Sequence, residues 1–105
     1  MPSPAARSLT HLRNDGWQAE VVEHWNPHAR IRQDLFGFID ILAVRHGETL
    51  AVQATSGDHV ADRVDKIAHS DKVAAVREAG WRIVVHGWRK SARTRRWELR
   101  EVDVS

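Results

Sequence analysis

Residues 36–44 read FGFIDILAV. A short apolar run of this length, rich in bulky and β-branched side chains, has the signature of a buried strand, and the segment is predicted to continue as one from about Phe36 to Arg45. Its single charged residue is Asp40, at the fifth position. An ionised carboxylate in an apolar interior costs several kcal/mol unless something pairs with it. Asp40 therefore requires a structural cation, a hydrogen-bond network or a metal ion.

The residues that follow fix what Asp40 faces. His46 and Gly47 form a two-residue turn, because glycine takes positive φ freely and histidine is among the residues that tolerate it. A strand TLAVQAT, residues 49–55, then runs back. With that turn Arg45 pairs with Glu48, Val44 with Thr49, Leu42 with Ala51 and Asp40 with Gln53. Directly opposed residues of an antiparallel pair point to the same face, so one face presents Asp40, Gln53 and, two residues on, Thr55 opposite Phe38. A carboxylate beside an amide oxygen suits a hard divalent cation. A hydrogen-bonded Asp–Gln pair serving only the fold explains the same residues, and both readings stand at this point.

Working outward, Ser3-Pro4 is a helix start, with Ser as cap and Pro at the first position, and Ala5, Leu9 and Leu12 share one face. Gly16 ends this helix. A first strand is predicted over Trp17–Trp25, followed by a connection NPHARIRQ. Beyond the hairpin, Asp58 caps a helix carrying Val60, Val64, Ile67 and Ala68; His69-Ser70-Asp71 predicts a kink or a restart capped by Ser70, with the helix continuing to Gly80. WRIVVHGW and RWELREVDV are the last strands, joined by the basic loop RKSART. Arg13, Gly16, Trp17 and Val21 recur at constant offset as Arg77, Gly80, Trp81 and Val85. Two helices closed by Gly, each followed by a Trp that starts a strand, account for this without duplication.

The chain has 105 residues, 42% hydrophobic and 29% charged, which predicts a single domain with one core over residues 1–105. It contains no cysteine, so disulfides and thiolate zinc sites are excluded. No apolar run is long enough to span a bilayer, and MPSPAARSLTHLR lacks the apolar centre of a signal peptide, so the expected location is cytoplasmic, away from membranes. The net charge of +2 conceals a basic cluster between Arg82 and Arg100 that includes Arg89, Lys90, Arg93, Arg95 and Arg96, with Glu98 as its only acid. Such density suits phosphate binding; a solvated loop is the bland alternative.

The helix, the three-stranded meander, the second helix and the next strand resemble the core of the PD-(D/E)xK nuclease superfamily, which includes restriction endonucleases and Holliday-junction resolvases. In that family the Asp lies on the second core strand and the (D/E)xK triplet on the third, after a hairpin. DLFGFIDILA supplies the Asp as Asp40, and VQAT supplies the triplet as Gln53, Ala54 and Thr55. Glutamine at the first triplet position is similar to the QxK of Mrr-type restriction endonucleases, and the pairing of DLFGxxD with VQxT is similar to phage proteins of this layout. The likeness spans roughly Ser3 to Val85. It implies a restriction-endonuclease-like α/β domain of order α-β-β-β-α-β-β, with a mixed central sheet flanked by helices.

The resemblance also implies a chemistry: phosphodiester hydrolysis of DNA with Mg²⁺ or Mn²⁺ held by Asp40, Gln53 and a second acid. Asp34 is the preferred second acid and Glu23 a supporting one. Ile39 stands where the family often has proline. Thr55 stands where it has the lysine that stabilises developing charge, and a hydroxyl cannot supply that charge. Some members carry the lysine on the following helix, where Lys66 is the candidate and Arg63 the second choice. Arg63, Arg89, Lys90, Arg93, Arg95 and Arg96 are then the backbone-binding cations, and Trp25, Trp88 and Trp97 are either base-stacking surfaces or core.

Two alternatives belong to other classes. A degenerate nuclease fold that binds nucleic acid or assembles with a partner without cleaving would have no amine and no second acid at the pocket. A histidine metal site is disfavoured, since Pro27 breaks the helix that would align His24 with His28, and the strand order does not supply the ββα arrangement of an HNH nuclease. A homodimer through an edge strand or the Trp-rich C-terminal part is the oligomer the layout allows.

Overall fold

The computed structural model describes residues 2–105. Ser3 accepts a hydrogen bond from the Ala6 N–H at 3.1 Å and Pro4 sits in the first turn, so α1 (Pro4–Asn14) begins where its cap dictates. Gly16, at φ +89°, turns the chain into β1 (Gln18–Val21). Next come β2 (His24–Asn26), β3 (Ile31–Gln33), β4 (Ile41–Arg45) and β5 (Glu48–Ser56), then a 3₁₀ turn over Gly57–His59. The helices α2 (Val60–Ala68) and α3 (Val73–Glu78) lead to β6 (Arg82–Lys90) and β7 (Trp97–Asp103). No helix among the described residues is long and apolar enough to cross a membrane.

The sheet has five strands in the order β1-β4-β5-β6-β7; β5 and β6 run parallel and every other neighbouring pair is antiparallel. The parallel step needs a crossover, which α2 and α3 supply. Side-chain alternation divides the core in two. Leu12, Trp17 and Ala19 pack with Ile41, Leu50, Val52 and Val84 on the α1 side, whereas Ala51, Ile83 and Val85 pack with Phe38, Val60, Ile67, Val73 and Val76 on the α2–α3 side. Gln53 and Thr55 share the parity of Ala51 and so belong to the second face. That face closes tightly over β6, because a Cβ at Gly87 would collide with Val60.

The predicted turn is made by His46 and Gly47, at φ +48° and +79°. Its register is the expected one: Arg45 with Glu48, Val44 with Thr49, Leu42 with Ala51. The mixed sheet and the flanking helices also agree with expectation, but three boundaries differ. The strand predicted from Phe36 starts only at Ile41, because Phe36 and Gly37 adopt φ +55° and +82° and fold residues 34–39 into a tight turn. Phe38 therefore does not face Thr55 in a ladder. The strand predicted over Trp17–Trp25 breaks after Val21, and the supposed connection NPHARIRQ contains β3, which pairs with β2 as a separate ribbon.

The third difference lies in the crossover. Asp58 falls within the 3₁₀ turn and caps nothing; α2 follows His59. The expected interruption at His69-Ser70-Asp71 is present, but Ser70 Oγ accepts from the Lys72 N–H at 3.2 Å and α3 starts after Lys72. The repeated Arg-Gly-Trp spacing has a local cause. Gly16 and Gly80 both take positive φ after a helix, and each gives its N–H to the carbonyl three residues back, Arg13 and Arg77 respectively.

Candidate metal centre

Three separate backbone devices converge on Asp40. Its main chain leaves the β4–β5 register there: the N–H donates to Val52 O at 2.9 Å and the carbonyl accepts from Val22 N–H at 2.8 Å. The second bond brings Glu23, the next residue along, to the same end of the sheet. The tight turn does the rest. Leu35 bridges Ile39 through two backbone hydrogen bonds of 3.0 Å, so the next pair outward in that miniature hairpin is Asp34 with Asp40. Carboxylate oxygens of Glu23, Asp34 and Asp40 consequently all lie within 4.8 Å of one another.

On its other side Asp40 meets β5. Gln53 Nε2 donates to Asp40 Oδ2 at 2.8 Å, and the Ala54 N–H donates to the same oxygen at 2.8 Å. Asp40 is 5% exposed and Gln53 4%. Gln53 Oε1 is buried and has no hydrogen-bond partner among the described residues. Burial pushes the Asp40 carboxyl up to about 7, the Asp34 carboxyl adds to the rise by sharing a proton and by repulsion, and Glu23 repels it further; the Ala54 N–H works the other way. Three acids this close cannot all ionise cheaply without a cation among them.

Cations do stand at the rim. Lys66 Nζ lies 3.5 Å from Asp34 Oδ2, and Arg32 Nη1 lies 3.7 Å from Glu23 Oε1. The open cleft at this point is lined by His24, Arg32, Asp34, Lys66 and Lys72 among others. Arg63 is one turn before Lys66 on α2, and its buried Nε has no partner among the described residues. Thr55 follows Gln53 on the same face and is buried. It brings no charge.

The residues fit a hard divalent ion on chemical grounds: every donor is an oxygen, and Gln53 Oε1 is an unsatisfied buried acceptor. Two oxygens sharing one Mg²⁺ at about 2.1 Å are at most about 4.2 Å apart. The observed span of up to 4.8 Å is thus within a small side-chain adjustment of that limit.

Other expected residues are elsewhere. Val85 is the β6 partner of Gln53, so Lys90 is five strand residues further along, about 17 Å at 3.3–3.4 Å per residue. Arg93, Arg95 and Arg96 occupy the turn beyond it, which is braced by Ser91 N–H to Arg96 O and Arg95 N–H to Ser91 O, both 2.8 Å. Among the described residues none of Arg89, Lys90, Arg93, Arg95 and Arg96 makes an ion pair. Trp88 is core, giving its Nε1–H to Ser8; Trp97 carries Arg7 at 3.7 Å over its ring; Trp25 is exposed on the ribbon. Among the described residues no histidine joins a metal-capable cluster.

Arg32 and Lys72 were not legible as site residues. The only sequence signal for Arg32 is the alternation in ARIRQ, which the nearby Pro27 disguises as a loop, and Lys72 lies in the interruption between the two crossover helices. In fold and site, the chain is an α/β domain with a carboxylate cluster where the hairpin, the edge strand and a tight turn meet. Compared with known proteins, it matches no family model, no curated protein and no solved structure.

Proposed function

We propose that this chain is a metal-dependent deoxyribonuclease of restriction-endonuclease-like fold that hydrolyses phosphodiester bonds in DNA in the cytoplasm. The observation that carries the proposal is the convergence of Glu23, Asp34 and Asp40 from three separate segments, with Lys66 beside them. Asp40, Asp34 and Glu23 would hold Mg²⁺ or Mn²⁺, with Gln53, whose buried Oε1 has no partner among the described residues, as the fourth ligand of the proposal. Such an ion, when bound, polarises a phosphoryl oxygen and lowers the pKa of a bound water.

The chain's own groups do the positioning. Gln53 Nε2 and the Ala54 N–H both engage Oδ2 of Asp40, which fixes the carboxylate plane and leaves Oδ1 for the cluster. Lys66 supplies, from α2, the positive charge that Thr55 lacks, and Arg63 stands one turn away to take a neighbouring phosphate. Arg89, Lys90, Arg93, Arg95 and Arg96 hold backbone at a distance along the sheet, flanking rather than touching the bond that is cut.

A binding module without chemistry is the rival reading. It calls for a pocket with no amine and no second acid, and Asp34, Glu23 and Lys66 argue against it. The deciding experiment is nicking and cleavage of plasmid, single-stranded and branched DNA with Mg²⁺ or Mn²⁺, wild type against Asp40→Ala. Cleavage by the wild type that falls to background in the variant is expected. Cleavage that survives Asp40→Ala sinks the site.

A further inference from the structure

Next to the carboxylate cluster the surface opens into an apolar notch of about 250 Å³ that the hydrolysis has no use for. Phe36 and Trp81 form one wall, and Ala75 on the exposed side of α3 with Ala79 just past its end form the other, with Asp71 and Lys72 at the rim. Phe36, Asp71 and Lys72 also line the cleft that contains Asp34 and Lys66, so notch and cleft are continuous.

Phe36 is the unusual wall. Its φ of +55° is an outlier for a bulky side chain, in a turn where Gly or Asn would be less strained. The ring is nonetheless kept at the surface, 41% exposed, and leans on Trp81 with centroids 6.2 Å apart and planes 49° from parallel. A strained aromatic held open beside an anionic cluster is a surface shaped for something planar.

We propose that the notch receives one unpaired nucleobase of the strand whose phosphates run through the cleft. Its volume is below the 300–1,000 Å³ typical of pockets for drug-sized ligands, which suits a single ring system better than a peptide segment. Every base has a π-face that stacks on an aromatic wall. Lys66, Lys72 and Arg32 in the adjoining cleft match the backbone charge on either side of that base. A base inside a duplex cannot enter, so the substrate carries an unpaired or extruded nucleotide at the cut site. The inference deepens the nuclease proposal and rests on it for the cut, but base capture is readable without cleavage.

The test uses the full chain with Ca²⁺ in place of Mg²⁺ and a single-stranded oligonucleotide carrying 2-aminopurine, with a blunt duplex as comparison. Phe36→Ala removes the wall, and Ala75→Leu, at an exposed helix position, plugs the notch. Expected are fluorescence quenching on binding by the wild type, its loss in both variants, and about tenfold weaker single-strand binding in each with duplex binding unchanged. Lys72→Ala should weaken both DNA forms alike. If both variants bind the single strand like wild type while DNA is still cut, the base site is overturned and the nuclease proposal stands. Quenching that depends on Phe36 without any cleavage under Mg²⁺ keeps the base site and removes the nuclease. Absence of DNA binding removes both. Self-association abolished by Ala75→Leu, with base binding unaffected, would assign the notch to a second copy of this chain and overturn the inference.

Discussion

Gln53 gives its side-chain N–H to Asp40 across 13 residues of sequence, at 2.8 Å, while the Asp34 carboxyl crowds Asp40 from the opposite side. Asp40 is thus held by donors on one flank and repelled on the other. Burial above all, and then the Asp34 carboxyl, pushes the Asp40 carboxyl up to about 7.

The sign of the resulting pH dependence follows from linkage. Between about pH 4 and pH 7 the folded chain keeps a proton on Asp40 that the unfolded chain has lost, so in metal-free protein this group's contribution to stability falls as pH rises through that window and is level above it. The interval corresponds to about 4 kcal/mol at most. Asp40→Asn keeps an acceptor for Gln53 and Ala54 but cannot titrate. Urea unfolding in chelator from pH 4 to pH 8 should therefore show wild type losing stability relative to the variant as pH rises; parallel curves would exclude the shift.

Metal binding should reverse that penalty. At pH 7.5 Mn²⁺ should raise the melting temperature of the wild type, because it binds the folded cluster in preference to the unfolded chain. Glu23→Gln and Asp34→Asn each remove one of three charges, and each should weaken Mn²⁺ binding by about tenfold or more in calorimetric titration. If neither change affects affinity, the cluster is not the metal site.

Part of this centre was legible in the sequence and part was not, for a physical reason. The hairpin register is set by a two-residue turn and a period of two, so the pairs from Arg45–Glu48 to Leu42–Ala51 could be counted from the sequence; the counted Asp40–Gln53 pair lies past the end of that ladder, where the two side chains meet through a hydrogen bond instead. Asp34 and Glu23 were recognised as acids but not as a convergent pair. Asp34 reaches Asp40 only because Phe36 adopts a left-handed φ, and no propensity scale anticipates that in a phenylalanine. Glu23 depends on where β1 ends, and the bulky residues Val22 and Trp25 continue the strand pattern past the break. The β2–β3 ribbon was missed because Pro27 and Asn26 signal a loop and in fact form the ribbon's turn, with Asn26 Oδ1 accepting from the N–H groups of His28 and Ala29.

Lys66 is the residue on which catalysis turns. Its side chain is 42% exposed and its amine sits 3.5 Å from Asp34, so it is able to swing toward a phosphate. Lys66→Met should reduce the cleavage rate by about 10²–10³ with little change in melting temperature, the scale of removing one stabiliser of developing charge. Lys66→Arg should recover part of it. Wild-type rates in Lys66→Met would return the lysine's role to an unidentified group.

A separate chain of hydrogen bonds on the α1 face has the residue types of a catalytic triad and none of its access. The Glu101 carboxylate accepts from His86 Nε2–H at 2.9 Å, which leaves His86 Nδ1 to accept the Ser8 hydroxyl proton at 2.9 Å, while Trp88 Nε1 donates to Ser8 Oγ at 2.8 Å. Ser8 and His86 are both fully buried, which makes the chain a fastener between α1 and β6. Ser8→Ala leaves two buried groups unpaired and should cost about 2–4 kcal/mol in urea unfolding at pH 8. Burial holds His86 below its ordinary pKa despite the opposing pull of Glu101, so its contribution is lost as pH falls below about 6.5, where the unfolded chain takes up the proton first.

The basic turn gives a prediction with a different readout. Among the described residues Arg93, Arg95 and Arg96 have no acidic partners, and they lie beyond the carboxyl end of β6, so they meet phosphates remote from the cut. For a duplex, each phosphate that the protein no longer neutralises lowers the slope of log K against log salt by about 0.9. Replacing all three arginines by Ala should flatten that slope by about 2–3 and weaken binding to every sequence alike, while the cleavage rate at saturating DNA stays near wild type. A slope that does not move would mean the turn faces solvent in the complex, and a collapse of the saturated rate would mean that it reaches the scissile phosphate after all.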